Sequence, residues 1–163
     1  AMQQLQTIRD GLIQANPACA QGYRARAALA LAELRRLDAD LAVRLQPLRG
    51  STFVVFHAVA PYFAQRYGLR ELSLVDGPDQ SPSPAGLAAV STLLSRQRPI
   101  AVMVSAADAS TSLQALARDG RVGVGVFDPL ETTHRTSKID LSLYTDVMKS
   151  NGKQLVQAFN ATH

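Results

Sequence analysis

The stretch "TFVVFHAVAPYF", Thr52 to Phe63, decides the fold. Thr52–Phe56 is a β-branched and aromatic run, which suits a short buried strand. The run ends at His57, and an amphipathic segment begins at once, read as a helix from about Val59 to Tyr67. The same unit recurs downstream. "LRELSLVDG" holds a second, weaker strand. "DGPDQSPSP" (Asp76 to Pro84) is a turn-rich loop, and Pro84 can open a helix that runs to about Arg96. Pro99–Val104 reads as a third strand, Ser110–Arg118 as a helix, and "RVGVGVFD" as a fourth strand. A polar loop, Glu131 to Ile139, leads to a last helix from about Leu141 to Phe159. Strand and helix alternate four times. The expectation is an α/β fold: a four-stranded parallel open sheet with right-handed crossovers and helices on both faces.

The first third of the chain has another character. Gln3 to Gln14 reads as a short helix, and "ANPA" stops it and starts the next, with Asn16 as N-cap and Pro17 in the first turn. From Pro17 to about Gln46 only Gly22 interrupts a helical pattern. Leu34, Leu37, Leu41, Leu45 and Leu48 recur at spacings of three and four, which makes one apolar stripe. Thirty helical residues span about 45 Å. That is as long as a domain of this size is wide, so the helix is expected to overhang the α/β unit as a strut. Residues 1–49 are therefore assigned to the short helix and the strut, and 50–163 to the α/β lobe.

Composition narrows the function. The chain has 163 residues, 47% of them hydrophobic and 18% charged, enough to bury one core. The net charge of +4 is spread over helical positions without a Lys/Arg run, which argues against nucleic acid as a partner. The single cysteine, Cys19, excludes an internal disulfide and a cysteine metal cluster. No apolar run approaches the roughly 20 residues of a membrane span. The opening residues do not read as an export signal, so an exported protein would be met here in trimmed form.

In open parallel sheets, ligands bind beyond the carboxyl ends of the strands. Those ends offer His57, Asp76, Ser105 and Asp128 in turn. Imidazole nitrogen and carboxylate oxygen both bind zinc well, at about 2.0–2.2 Å, so His57 and Asp128 on one edge make a candidate pair. Two ligands are half of a four-coordinate site. Each also has a plainer reading: a hydrogen-bonded histidine at a strand end, and an aspartate capping a turn before Pro129. Asp76 in "VDGPD" reads as a turn residue, and Ser105 and Asp108 as caps of the following helix. His134 falls in a polar loop and His163 at the terminus. The glycines of "GVGVF" lie inside a strand rather than in a strand-to-helix turn, so they do not make a phosphate-binding loop. No Walker loop and no G-x-S-x-G elbow is present.

The order of these pieces resembles a known family. "ANPACAQGYRARAALALAELRRLDADL" resembles the long connecting helix of the metal-binding solute receptors of ABC transporters, the zinc and manganese receptors of the ZnuA/TroA type. "FVVFHAVAPYFAQRYGL" is similar to their His-Asp-Ala-x-x-Tyr-Phe segment, "SPSPAGLAAV" to their Pro-Ser-x-x-x-Leu helix start, and "VGVFDPL" to their strand followed by Asp-Pro-Leu. "YTDVMKSNGKQLVQAF" resembles their closing helix. The resemblance covers nearly the whole chain, in order.

The resemblance implies two lobes joined by a long helix, with metal held between them. Two histidines come from an N-terminal lobe that this chain does not contain. His57 falls on the histidine of the C-terminal lobe and Asp128 on its aspartate. A histidine at that position resembles the zinc-preferring members more than the manganese ones. His-Ala-Val replaces the usual His-Asp-Ala, and "VSAAD" stands where many members carry a glutamate. The expected function is the C-terminal half of a periplasmic zinc receptor that delivers metal to an ABC permease and performs no catalysis. An uncovered strut would favour self-association. Two alternatives stay open: a member without metal that acts as an interaction module, and a small α/β enzyme or nucleotide-binding domain.

Overall fold

The computed structural model describes residues 1–77, 80–96, 100–105, 111–131 and 140–161. Helix α1 (Met2–Ala15) folds back through a 3-10 turn (Pro17–Cys19) onto the long helix α2 (Ala20–Leu45), which ends in a second 3-10 turn (Gln46–Leu48). The strands β1 (Thr52–His57), β2 (Arg70–Val75), β3 (Ile100–Ser105) and β4 (Val124–Phe127) then alternate with helices. These are α3 (Pro61–Tyr67), α4 (Pro84–Arg96), α5 (Thr111–Asp119) and α6 (Leu141–Asn160).

The four strands pair in the order β2-β1-β3-β4, parallel throughout. The central strands β1 and β3 are covered on both faces, so their sequences are nearly continuous apolar runs rather than alternating ones. Their period of two still sorts side chains between two cores. Phe53, Val55, Ala101, Met103 and Phe127 meet Leu155 and Ala158 of α6 on one face. Val54, Ile100, Val102 and Val104 meet Val90 and Leu94 of α4 and Leu113 and Ala117 of α5 on the other.

The leucine stripe of α2 is buried along its full length, from Leu34 through Leu37, Leu41 and Leu45 to Leu48. Each such side chain removed from water stabilises the fold by about 1.5–3 kcal/mol. The α-helical part of the strut is 26 residues, about 39 Å. It is shorter than expected because Pro17–Cys19 and Gln46–Leu48 wind as 3-10 turns. Asn16 precedes the turn but makes no cap hydrogen bond; its Nδ2 lies 3.5 Å from Cys19 Sγ. The amino-terminal part of α2 lies against α1, burying Ala27 and Leu31, while Ile8, Leu12 and Leu29 stay exposed.

Helix α6 joins the strut to the sheet at very close range. A Cβ on Gly123, just before β4, would come within 1.9 Å of the Ala158 carbonyl oxygen. A Cβ on Gly152 would come within 2.6 Å of Leu41 Cδ2 on α2. On the same face of the sheet, α3 stops at Gly68, whose φ of +70° gives a left-handed cap that returns its amide to Ala64 and Gln65.

Helix α3 is also tied to the strut by charge. Arg66 donates from Nε to Asp38 Oδ1 at 2.9 Å and from Nη2 to Oδ2, and the Tyr67 hydroxyl donates to Oδ1 at 3.2 Å. The Arg66 hydrogen bonds hold the Asp38 carboxyl below its usual range. Burial, and then the neighbouring Asp38 charge, push the Tyr67 phenol upward. A carboxyl depressed in the folded state stabilises above its unfolded pKa, and that contribution is lost as pH falls through the folded value. The stability gap between wild type and Arg66→Met is therefore expected to be constant from neutral pH to about 4 and to close below it. Urea denaturation at a series of pH values measures this; a gap that widens on acidification would contradict it.

Candidate metal centre

Parallel pairing brings all four strand ends to one edge. His57 is the last residue of β1 and lies in register with Val75 of β2, so Asp76 follows at the same height. Ser105, the last residue of β3, is in register with Phe127, and Asp128 comes one residue later. His57 and Asp128 both stand on this edge, as the strand ends of a parallel sheet predict. They are not on adjacent strands, because β3 lies between β1 and β4. Two strand spacings are about 10 Å. An imidazole and a carboxylate reaching toward each other, with two metal bonds of about 2 Å, can span that gap.

His57 is half-buried. Its ring stands edge-on to Phe56, with centroids 6.4 Å apart at 87°. Its Nδ1 is buried and has no hydrogen-bond partner among the described residues. An orphaned buried polar atom costs about 1–3 kcal/mol, so it calls for an explanation. The chain after His57 is fixed from the neighbouring strand. Glu71 on β2 accepts from the Val59 amide at 2.7 Å through Oε1, and from the Ala60 amide at 3.0 Å through Oε2. Its negative charge also lies at the amino end of α3, where the helix dipole favours an anion. Pro61 opens that helix because no amide hydrogen is needed there. The helix therefore starts two residues later than the sequence pattern suggested.

Asp128 is half-buried and held from two sides. Its Oδ1 accepts from the Leu130 amide at 2.8 Å, a tight turn across Pro129. Leu130 itself has a φ of +61°, an uncommon conformation for a bulky side chain. Asn151 of α6 accepts from the Asp128 amide at 2.9 Å and donates to the Asp128 carbonyl at 2.8 Å. Phe63 of α3 and Phe127 of β4 stack edge-on at 5.5 Å, linking the helix that follows β1 to the end of β4.

Among the other residues singled out by sequence, Asp76 lies in a bend and its amide donates to Gln80 Oε1 at 3.2 Å. Asp108, His134 and His163 lie outside the described residues. Among the described residues no cluster of three or more His, Cys, Asp and Glu side chains could hold a metal ion. His57 and Asp128 are a candidate pair of donors on this edge. A groove of about 340 Å³ between α1, α2, α3 and α6 is lined by neither of them. Glu71 and Asn151 were missed by sequence reasoning. Each carries one signal: Glu71 is an acid within a strand, and Asn151 is an amide on the stripe formed by Met148, Leu155 and Phe159.

Residues 1–158 match the family described as zinc-uptake complex component A, periplasmic (ZnuA). The chain belongs to this family. It is 31% identical over 150 residues to the zinc-binding protein AdcA of Streptococcus pyogenes, covering 90% of this chain and 29% of AdcA. It is 28% identical over 155 residues to the high-affinity zinc uptake system protein ZnuA of Paracoccus denitrificans, covering 94% of this chain and 47% of that protein. A crystal structure of ZnuA superposes with a TM-score of 0.79 at 27% identity, over 94% of this chain and 56% of the other. A zinc-bound variant of Streptococcus pneumoniae AdcAII superposes at 0.77 with 21% identity, a likeness of fold. The chain therefore spans less than half the length of the two ZnuA-family relatives compared by sequence.

Glu71→Ala leaves the Val59 and Ala60 amides without their carboxylate. The expected loss is about 1–3 kcal/mol of folding stability, measured by urea denaturation. A loss below about 0.5 kcal/mol, the range of an ordinary surface substitution, would mean that water replaces the carboxylate without penalty.

Proposed function

We propose that this chain is the strut and C-terminal lobe of an exported zinc receptor, with residues 1–49 as strut and 50–163 as lobe. His57 and Asp128 are its two metal ligands. A preceding lobe supplies two more, and the complete receptor hands zinc to an ABC permease in the periplasm. Zinc is cargo here rather than a catalytic group, and the protein performs no reaction. The observation that carries the reading is the buried Nδ1 of His57, without a partner among the described residues, on the edge where Asp128 also emerges. An imidazole and one carboxylate suit zinc better than manganese, which prefers oxygen donors. The family of the chain and the names of its relatives support the same cargo.

The strut shapes the proposed mechanism. A helix of this length, buried along its stripe, does not bend freely. Metal release then comes from small tilts and local ordering at the strand ends rather than wide hinge opening. Covering by the missing lobe or by a second copy would account for exposed Leu29 and Val43 on α2.

Two measurements test the reading. The 163-residue chain by itself is expected to bind zinc weakly in titration calorimetry, because half of the ligands are elsewhere; tight stoichiometric binding by its monomer would contradict that. In the two-lobed receptor, His57→Ala is expected to remove most of the zinc affinity, read by competition with a chelating dye. Wild-type affinity in that variant would take His57 out of the site, and a metal-free native protein by elemental analysis would favour an interaction module.

A further inference from the structure

Asp128 sits one residue beyond the last paired position of β4, and β4 is an edge strand. Its backbone amide and carbonyl therefore lie past the end of the ladder. The Asn151 side chain bonds to both, at 2.9 and 2.8 Å, as a neighbouring strand would. Among side chains in their usual forms at neutral pH, only a carboxamide offers a donor and an acceptor side by side in one plane. Asn151 is 2% exposed and lies on the apolar face of α6, near Met148 and Leu155. Leucine has the same branching and nearly the same shape, and would suit that stripe at lower desolvation cost. Leucine would leave the Asp128 amide and carbonyl without these bonds, so the carboxamide serves the end of β4 rather than the packing of the stripe.

The clamp is itself held rigidly. Gly152, the next residue, lets α6 press directly on Leu41 of the strut, which sets the height of Asn151 over the sheet. Beyond Asp128 the turn contains Leu130 at φ +61°. Such a conformation persists where its surroundings over-determine it. With the Leu130 amide on Oδ1 and Asn151 on the backbone, Asp128 is fixed at both main chain and side chain.

We propose that Asn151 is the positioning residue for Asp128, clamping the end of β4 so that the carboxylate is presented to the metal in one orientation. The inference rests on the reading of Asp128 as a ligand. It extends to this site the rule that groups fixing the ligands change metal affinity by about ten- to a hundredfold.

The test uses the two-lobed receptor and four variants: Asn151→Leu, Asp128→Ala, their combination, and Thr145→Val. Thr145 is equally buried on the same helix, and its hydroxyl donates to the Ser142 carbonyl at 3.0 Å, away from Asp128. The readouts are zinc affinity by chelator competition and the visible absorption bands of the cobalt(II)-loaded protein. Asn151→Leu is expected to weaken zinc binding ten- to a hundredfold and to shift the cobalt bands. Thr145→Val should change neither, whatever it does to stability. In the Asp128→Ala background, Asn151→Leu should cause no further loss, because its effect passes through that carboxylate. If Asp128→Ala weakens binding while Asn151→Leu leaves affinity and spectrum as in wild type, the positioning role is overturned and the ligand reading stands. If Asp128→Ala has no effect, both fall. Should Asn151→Leu fail to fold, Asn151→Ala replaces it with the same expectations.

Discussion

Helix α6 approaches its neighbours on two sides through glycines, with backbone carbonyl against glycine on one and glycine against leucine on the other. Gly123 lets the Ala158 carbonyl approach the start of β4, and Gly152 lets Leu41 of the strut approach α6. Side chains at either place would push the layers apart. Most other features of the molecule depend on this thin three-layer contact. It seats Leu155 and Ala158 in the core above Met103 and Phe127. It also brings the strut's leucine stripe close enough to the sheet for Leu45 to be fully buried.

The same contact organises the candidate site. Both proposed ligands stand at the ends of strands, where the ladder stops and the backbone would otherwise be free to turn. Each is followed or gripped by a side chain from a neighbouring element. Glu71 reaches across from β2 to the amides after His57, and Asn151 reaches down from α6 to the backbone of Asp128. The strut is connected to α3, the helix that follows His57, through Asp38 to Arg66 and Tyr67, and to α6 through Leu41. A small tilt of α2 relative to the sheet would thus be felt at both strand ends. Such coupling suits the proposed receptor, which would hold a cation and then release it without wide opening.

Much of this was legible in the residues. The apolar runs of β1 and β3, the spacing of Leu34 to Leu48 and the proline-opened helices are local signals, and they placed the elements to within a few residues. His57 and Asp128 were legible because a parallel sheet sends every strand end to one edge, whatever the order of strands. Glu71 and Asn151 were not, because their roles lie in hydrogen bonds to residues 11, 12 and 23 positions away. Asn16 misled for a related reason. Its type and place suit an N-cap, but the chain winds as a 3-10 turn there and the side chain meets Cys19 instead.

The sequence by itself determined the alternation of strands and helices, the buried face of the strut and the residues offered at the strand ends. Periodicity and residue chemistry act over neighbouring positions, and a single chain displays them in full. The tertiary structure decided the order β2-β1-β3-β4, which sets β3 between the two candidate ligands. It also decided the close seat of α6 and the two side chains that hold the segments carrying the candidate ligands. Those depend on which distant residues meet once water has been excluded, and no local pattern specifies that.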